Sequence, residues 1–201
     1  MTISVPVQIL ITIKSKSFVH DYLPLQPRHL HLRRLRIVSQ ARERLWIATA
    51  DIKDMYVDIG GRVMVPFLEV LNTLVKRGVE VRLIHAKDPG PNWRDDFDRY
   101  PTLWTAMERM LCPRVHFKCI IVDGVKAYFG SANLTSAGMG AKSEKKRNFE
   151  NGVQTDDPAL VEPLVEQFDS VWRGAFCRDC GRRDFCGDPV VYVAAVHVLS
   201  R

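Results

Sequence analysis

His116, Lys118, Ser131 and Asn133 bring an imidazole, an ammonium, a hydroxyl and a carboxamide into one short stretch of a 201-residue chain. Side chains alternate along a strand, so His116 and Lys118 share one face, while Val115, Phe117 and Cys119 face the other way and are free to be core. Asp123-Gly124 is a strong signal for a two-residue hairpin turn. With that turn, antiparallel register pairs Val122 with Val125, Lys118 with Phe129 and His116 with Ser131. Asn133, two beyond Ser131, projects the same way, and Gly130 and Ala132 remove bulk where a ligand would approach. Such a set suits a tetrahedral oxyanion: a nucleophile or acid at His116, a fixed positive charge at Lys118, and neutral donors at Ser131 and Asn133. Phosphoryl transfer asks for little else.

A hairpin with this duty must be held by the rest of the chain. From Arg28 to Arg44, Leu, Ile and Val alternate with arginines, which predicts a basic amphipathic helix feeding an apolar strand over Leu45 to Ala50. Phe67, Leu68, Leu71, Leu74 and Val75 recur at helical spacing, and Arg77-Gly78 supplies a cation and a helix-ending glycine before a strand at Val79 to Ile84. Strand, helix, strand in this order predicts an α/β layer arrangement with a buried parallel pair. The prolines, glycine and acidic residues of Asp88 to Tyr100 predict a loop that borders a site. Thr102 to Leu111 reads as a short helix, and Val115 to Val122 and Val125 to Phe129 as the hairpin strands. Asn148 to Gln154 reads as a further strand. Pro158 to Trp172 is an amphipathic helix with Leu160, Leu164, Val165, Phe168, Val171 and Trp172 inward. There is no internal repeat, and so no second copy of the hairpin motif.

His116-x-Lys118, four residues, Asp123, six residues, then Gly130-Ser131-x-Asn133: this spacing resembles the phospholipase D superfamily motif. The flanks are similar too, through Leu45 to Asp51, Arg77-Gly78-Val79-Glu80-Val81 and Arg147-Asn148-Phe149-Glu150, so the resemblance covers about Arg36 to Gly174. It implies an α/β fold, a mixed β-sheet flanked by helices, over residues 31–174, after an extension at 1–30 and before a Cys-rich segment and tail at 175–201. It further implies that His116 attacks phosphorus and becomes a phosphohistidine that water hydrolyses, with Lys118 and Asn133 holding phosphate oxygens and Ser131 supporting them. Glu150 stands where the family often has an acidic residue orienting the nucleophile. Asp123 belongs to the motif's residue set, but the hairpin already explains it as a turn residue. Two histidines are needed, one to attack and one to protonate the leaving oxygen. With a single motif, the second comes from another subunit, and a twofold homodimer supplies it. His20, His29, His31, His85 and His197 lack the accompanying lysine and asparagine. No cofactor or catalytic metal is implied.

Cys177, Cys180 and Cys186 read C-x2-C-x5-C, and three thiols this close suggest a structural metal. Cys119 points to the core, so Cys112 is the preferred fourth ligand. Zinc is the simplest occupant, with an iron-sulfur cluster as the alternative.

A formal charge of +6 and a pI near 9.2 favour an anionic partner, either nucleic acid or phospholipid headgroups. Lys142, Lys145, Lys146 and Arg147 follow the motif as a basic segment able to track a polynucleotide backbone. Nuclease activity is therefore the leading expectation. A phospholipid phosphodiesterase, with Trp93, Phe97 and Tyr100 as an apolar rim, and a non-catalytic nucleic-acid-binding module are the alternatives. The apolar stretch Ile3 to Ile13 is too short to span a bilayer and lacks the features of a secretory signal. With an odd number of cysteines, this predicts a cytoplasmic protein without a transmembrane segment.

Overall fold

The structure, a computed structural model, describes residues 20–22, 35–59, 63–139, 141–143, 145–146 and 148–190. Its centre is a seven-stranded sheet. The strands in chain order are β1 (His20–Tyr22), β2 (Arg44–Thr49), β5 (Glu80–His85), β6 (Met107–Leu111), β7 (Cys119–Val122), β8 (Lys126–Gly130) and β9 (Gly152–Thr155), while β3 (Tyr56–Asp58) and β4 (Met64–Pro66) form a separate hairpin. The spatial order is β1-β9-β8-β7-β2-β5-β6. β2, β5 and β6 run parallel, and β7 joins β2 antiparallel, so the sheet is mixed.

Alternation along the central strands builds two cores. Leu45, Ile47, Val81, Leu83, Ile120 and Val122 face one way, beneath α1 (Phe67–Lys76), α2 (Pro91–Asp98) and α3 (Pro101–Ala106). Trp46, Ala48, Ile84, Cys119, Ile121 and Ala127 face the other way, beneath α4 (Pro158–Trp172). Helices on both faces of a sheet with parallel central strands bury what would otherwise be a two-sided apolar surface. Phe168 of α4 stacks on Trp46 at 5.0 Å between ring centroids.

Local chemistry sets several boundaries as the sequence predicts. The Lys76 end of α1 is followed by Gly78 at φ +83°, a conformation glycine adopts without a Cβ clash. α4 begins with Pro158 at its first turn, and Asp157 Oδ1 accepts the Ala159 N–H at 3.0 Å, a side-chain cap that removes one orphan donor. Within α4 the most buried side chains are Val161 and Phe168, one position on from the expected Leu160.

Four expectations need correction. Of the helix predicted over Arg28 to Arg44, only residues from 35 onward are described, and these give way to a 3-10 turn at Val38–Gln40 and non-helical backbone at 41–43. The predicted loop at Asp88 to Tyr100 contains α2, because Pro91 occupies the first helical position, where its missing N–H costs nothing. The predicted helix over Thr102 to Leu111 stops at Ala106, and Met107–Leu111 is drawn into the sheet by pairing with Val81–His85. The hairpin register slips by one. Asp123 and Gly124 both take positive φ, 54° and 73°, but Val125 remains outside the ladder and Val122 pairs with Lys126, Cys119 with Phe129.

Candidate active site

The slipped register changes how the motif converges. Val115 to Lys118 lie just before β7 rather than on it, yet the alternation persists: Val115, Phe117 and Cys119 pack on the α4 side while Lys118 is turned the other way and 9% exposed. Gly130 N–H bonds Lys118 O at 3.2 Å, so Lys118, not His116, lies beside the end of β8. Ser131 no longer falls opposite His116, and its polar groups are tied to the segment before β9. Its N–H bonds Asn151 O at 3.0 Å and its Oγ accepts the Asn151 N–H at 3.0 Å. That exchange explains Gly130: a Cβ there would lie 2.3 Å from Asn151 O. The space belongs to the neighbouring backbone, and Ala132 is core, so neither residue clears room for a ligand as the sequence suggested.

The ends of β2 and β8 and the starts of β7 and β9 thus meet at one edge of the sheet, where loops beyond strand ends commonly carry sites. His116 is exposed. Lys118 Nζ donates to His116 O at 2.7 Å and lies 3.4 Å from both ring nitrogens. Equal distances place the ammonium over the ring face, because an in-plane approach at that range would strike the carbon between the nitrogens. Among the described residues neither nitrogen has another hydrogen-bond partner, so both are open to a reacting group. Burial pulls the Lys118 pKa down from the usual lysine value, and the Glu150 carboxylate partly restores it.

Glu150 is held between two neutral donors. Ser131 Oγ donates to its Oε2 at 2.5 Å and Asn148 Nδ2 to its Oε1 at 3.1 Å. The carboxylate therefore reaches Ser131 and influences Lys118, and the hydrogen bond to His116 expected of it is not formed. Asn133 is fixed by its oxygen, which accepts the Asp51 N–H at 3.2 Å and lies 3.3 Å from Thr49 Oγ1. Committing the oxygen to the protein leaves the two Nδ2 hydrogens as donors. Thr49 is fully buried at the end of β2; it donates to Asp51 O at 2.8 Å and accepts the Leu134 N–H at 3.1 Å. Thr49, Asp51, Asn148 and Asn151 are positioning groups that the motif spacing did not reveal. A polar residue closing the apolar run Leu45–Ala48 was the available signal for Thr49.

Asp123 lies at the far end of the hairpin, apart from these groups. Its carboxylate accepts N–H groups from Arg42, Glu43 and Arg44 at 2.9–3.2 Å. Burial pushes its pKa up, but the N–H groups of Glu43, Arg44 and Arg42 outweigh that and hold it below the usual aspartate value.

Lys142, Lys145 and Lys146 are exposed on a loop whose base is closed by Asn148 N–H to Ala137 O at 3.1 Å, next to Glu150; Arg147 lies outside the described residues. Trp93 and Phe97 are buried, stacked at 5.0 Å beneath Arg109. They form core, not the entrance rim suggested for a lipid enzyme, and Tyr100 packs against the same core. His85 is buried, with Nδ1 2.7 Å from Lys87 O, and His29, His31 and His197 lie outside the described residues, as does the tail from 191. Cys119 is core, its thiol pushed up to about 12 by burial. Cys112, Cys177, Cys180 and Cys186 line one cavity. Among the described residues no helix is long and apolar enough to cross a membrane.

Residues 35–172 match the family described as cardiolipin synthase, PLD-like domain. The chain is 30% identical over 105 residues to mitochondrial cardiolipin hydrolase of Chlamydomonas reinhardtii, covering 52% of this chain and 44% of that one. It thus spans less than half the length of that relative. NucT from Helicobacter pylori superposes with a TM-score of 0.56 at 18% identity, over 77% of this chain and 95% of that one. The phospholipase D family member Nuc from Salmonella typhimurium gives 0.53 at 22% identity, over 78% and 93%. The structural likenesses carry the fold, and the family match spans every strand from β2 to β9 with the motif inside it. The chain belongs to the phospholipase D-like domain family.

Proposed function

We propose that the chain is a metal-independent phosphodiesterase, most specifically a nuclease, acting as a homodimer through a phosphohistidine. The observation that carries this reading is the single edge where His116, Lys118 and Asn133 present nitrogen groups beside the hydrogen-bonded Ser131–Glu150 pair. In the proposed reaction one His116 nitrogen attacks phosphorus, and the phosphorus–oxygen bond to the leaving group breaks. The leaving oxygen takes a proton from the second imidazole, His116 of the partner subunit. Water then attacks the phosphohistidine, gives its proton back to that imidazole, and releases the phosphate monoester. Lys118 and the Asn133 amide would stabilise the charge that grows on the non-bridging oxygens.

The lysine loop favours a polynucleotide. Lys142, Lys145 and Lys146 are exposed on a loop that leaves and rejoins the chain beside the site, and cations placed there would follow successive phosphates. The lipid reading has its own support. Tyr56 and Met64 are exposed on the β3–β4 hairpin, which starts next to the segment following Asn133 through Lys53 N–H to Leu134 O at 3.0 Å, and one relative is named a cardiolipin hydrolase.

Incubating the protein in chelator with labelled DNA, RNA and cardiolipin vesicles separates these readings. Cleavage of nucleic acid alone is expected; cleavage of lipid alone refutes the nuclease, and cleavage of nothing favours a binding module. His116→Ala should abolish turnover while nucleic-acid affinity persists. For the shared site, a fully active monomer in ultracentrifugation is the refuting result.

A further inference from the structure

The segment after α4 lacks what normally holds a chain in place. From Arg173 to Asp188 it has no strand and only the 3-10 turn Arg183–Phe185. Its large apolar side chains, Phe176 and Phe185, are 57% and 72% exposed. Two of its ties to the body fall at the end of β6: Asp188 Oδ2 accepts the Leu111 N–H at 2.8 Å, and Cys186 Sγ approaches Leu111 O at 3.7 Å. Cys112 is the next residue. So little buried apolar area cannot by itself offset the entropy of ordering such a segment.

Its backbone nevertheless follows a repeat. Cys177 N–H bonds Gly174 O, Cys180 bonds Cys177, Arg183 bonds Cys180 and Cys186 bonds Arg183, at 2.9–3.4 Å. Cys177, Cys180, Arg183 and Cys186 thus recur at successive three-residue turns. All four line a cavity of about 540 Å³ together with Cys112. Four of the five cysteines in the chain therefore converge from two stretches far apart in sequence. They share this cavity, and among the described residues no three His, Cys, Asp or Glu form a ready ligand set. The lightly anchored segment supplies the freedom to draw in.

We propose that Cys112, Cys177, Cys180 and Cys186 bind one zinc ion as tetrahedral thiolate ligands and so clamp the post-α4 segment to the end of β6. Each ligating thiol gives its proton to solvent, and four thiolates on a divalent ion leave two negative charges. Two cations answer them: Arg183 lines the cavity, and an Arg114 N–H points to Cys180 Sγ at 3.9 Å. Val115 and Phe117 also line this cavity, so the zinc would back the stretch whose opposite side presents His116 and Lys118. The role is structural and stands apart from the phosphodiesterase reading.

The test is metal analysis of full-length protein purified with reductant, dialysed against zinc and then freed of loose ions. One zinc per chain is expected, falling to background in a Cys177→Ser, Cys180→Ser variant and, separately, in Cys112→Ser. Because such variants can misfold, trypsin supplies a second readout on the wild-type chain. Arg178, Arg182 and Arg183 are exposed, and cleavage there should be slow with zinc and at least about tenfold faster after chelation, with the sheet still folded by circular dichroism. Four thiols that react freely after zinc dialysis, or zinc retained by the double variant, would overturn the site. Iron with visible absorption in place of zinc would overturn the metal assignment.

Discussion

The two ends of the β7–β8 hairpin carry residues of one motif and use them in opposite ways. At the turn, Asp123 spends its carboxylate on N–H groups of Arg42, Glu43 and Arg44, fastening the entry to β2. At the open end, Asn133 and Lys118 are each tied to the protein by part of their hydrogen-bonding capacity, and among the described residues no protein acceptor takes the Asn133 amide hydrogens and no partner but Lys118 meets the His116 ring. A polar group whose bonds all return to the protein holds the fold, and one anchored on a single side is prepared for a ligand. Membership of a sequence motif does not distinguish the two; the destination of the hydrogen bonds does.

The comparison is broken most severely at Lys118. Replacing it with Met keeps the length and apolar stem but removes the cation proposed to stabilise the reacting phosphate. Turnover should fall by about 10²–10³-fold, the loss seen when a single oxyanion-stabilising group is removed. The melting temperature should hold or rise, because the buried ammonium has a pKa drawn down by desolvation and its charged form is disfavoured by folding. Initial rates beside a thermal melt check both. A variant that loses stability in proportion to activity would move Lys118 to the structural end of the comparison.

Asp123→Ala should do the reverse. Three backbone N–H groups lose a charged acceptor, and a cost of about 2 kcal/mol is expected, or a melting temperature lower by roughly 4–8 °C, with turnover per folded molecule little changed. The pH dependence has a defined sign. The folded pKa of Asp123 lies below its unfolded value, so its contribution is fully present above the unfolded aspartate range and is lost as pH falls through the folded pKa. Wild type and variant should therefore differ in stability at neutral pH and converge in acid. Urea titrations at several pH values measure this, and a gap that stays constant with pH would mean that the carboxylate charge is not what anchors β2.

The family was legible because its motif resides in residue types at fixed spacing, and α4 was legible because Pro158 and Asp157 mark its start by local rules. The register was not. Asp123-Gly124 dictates two positive φ angles, but nothing local decides whether Val125 joins the ladder, and the single-residue slip takes Ser131 out of register with His116. β6 was hidden for a related reason: Met107 and Met110 sit at helical spacing, and only the tertiary pairing with Val81–His85 makes the segment a strand. Trp93 and Phe97 show the same limit from the other side, since burial of an aromatic pair beneath Arg109 depends on where α2 lands. What sequence conveys is chemistry and local conformation; contacts between distant segments are settled by packing.

The finest test of the comparison concerns Glu150, whose two oxygens are held by Ser131 and Asn148. Asn148 is exposed and touches no reacting group, so Asn148→Ala removes one hydrogen bond to the carboxylate and little else. If Glu150 acts by bracing Ser131 and supporting the charge of Lys118, a looser carboxylate should slow turnover by about two- to fivefold, the kinetic equivalent of one exposed hydrogen bond. The alkaline limb of the rate profile should also move to lower pH, because Glu150 is the group that raises the Lys118 pKa. Asn148→Gln, which restores a donor, should recover part of the rate. A slower variant with an unmoved alkaline limb would detach Glu150 from Lys118 and leave Ser131 as its only function.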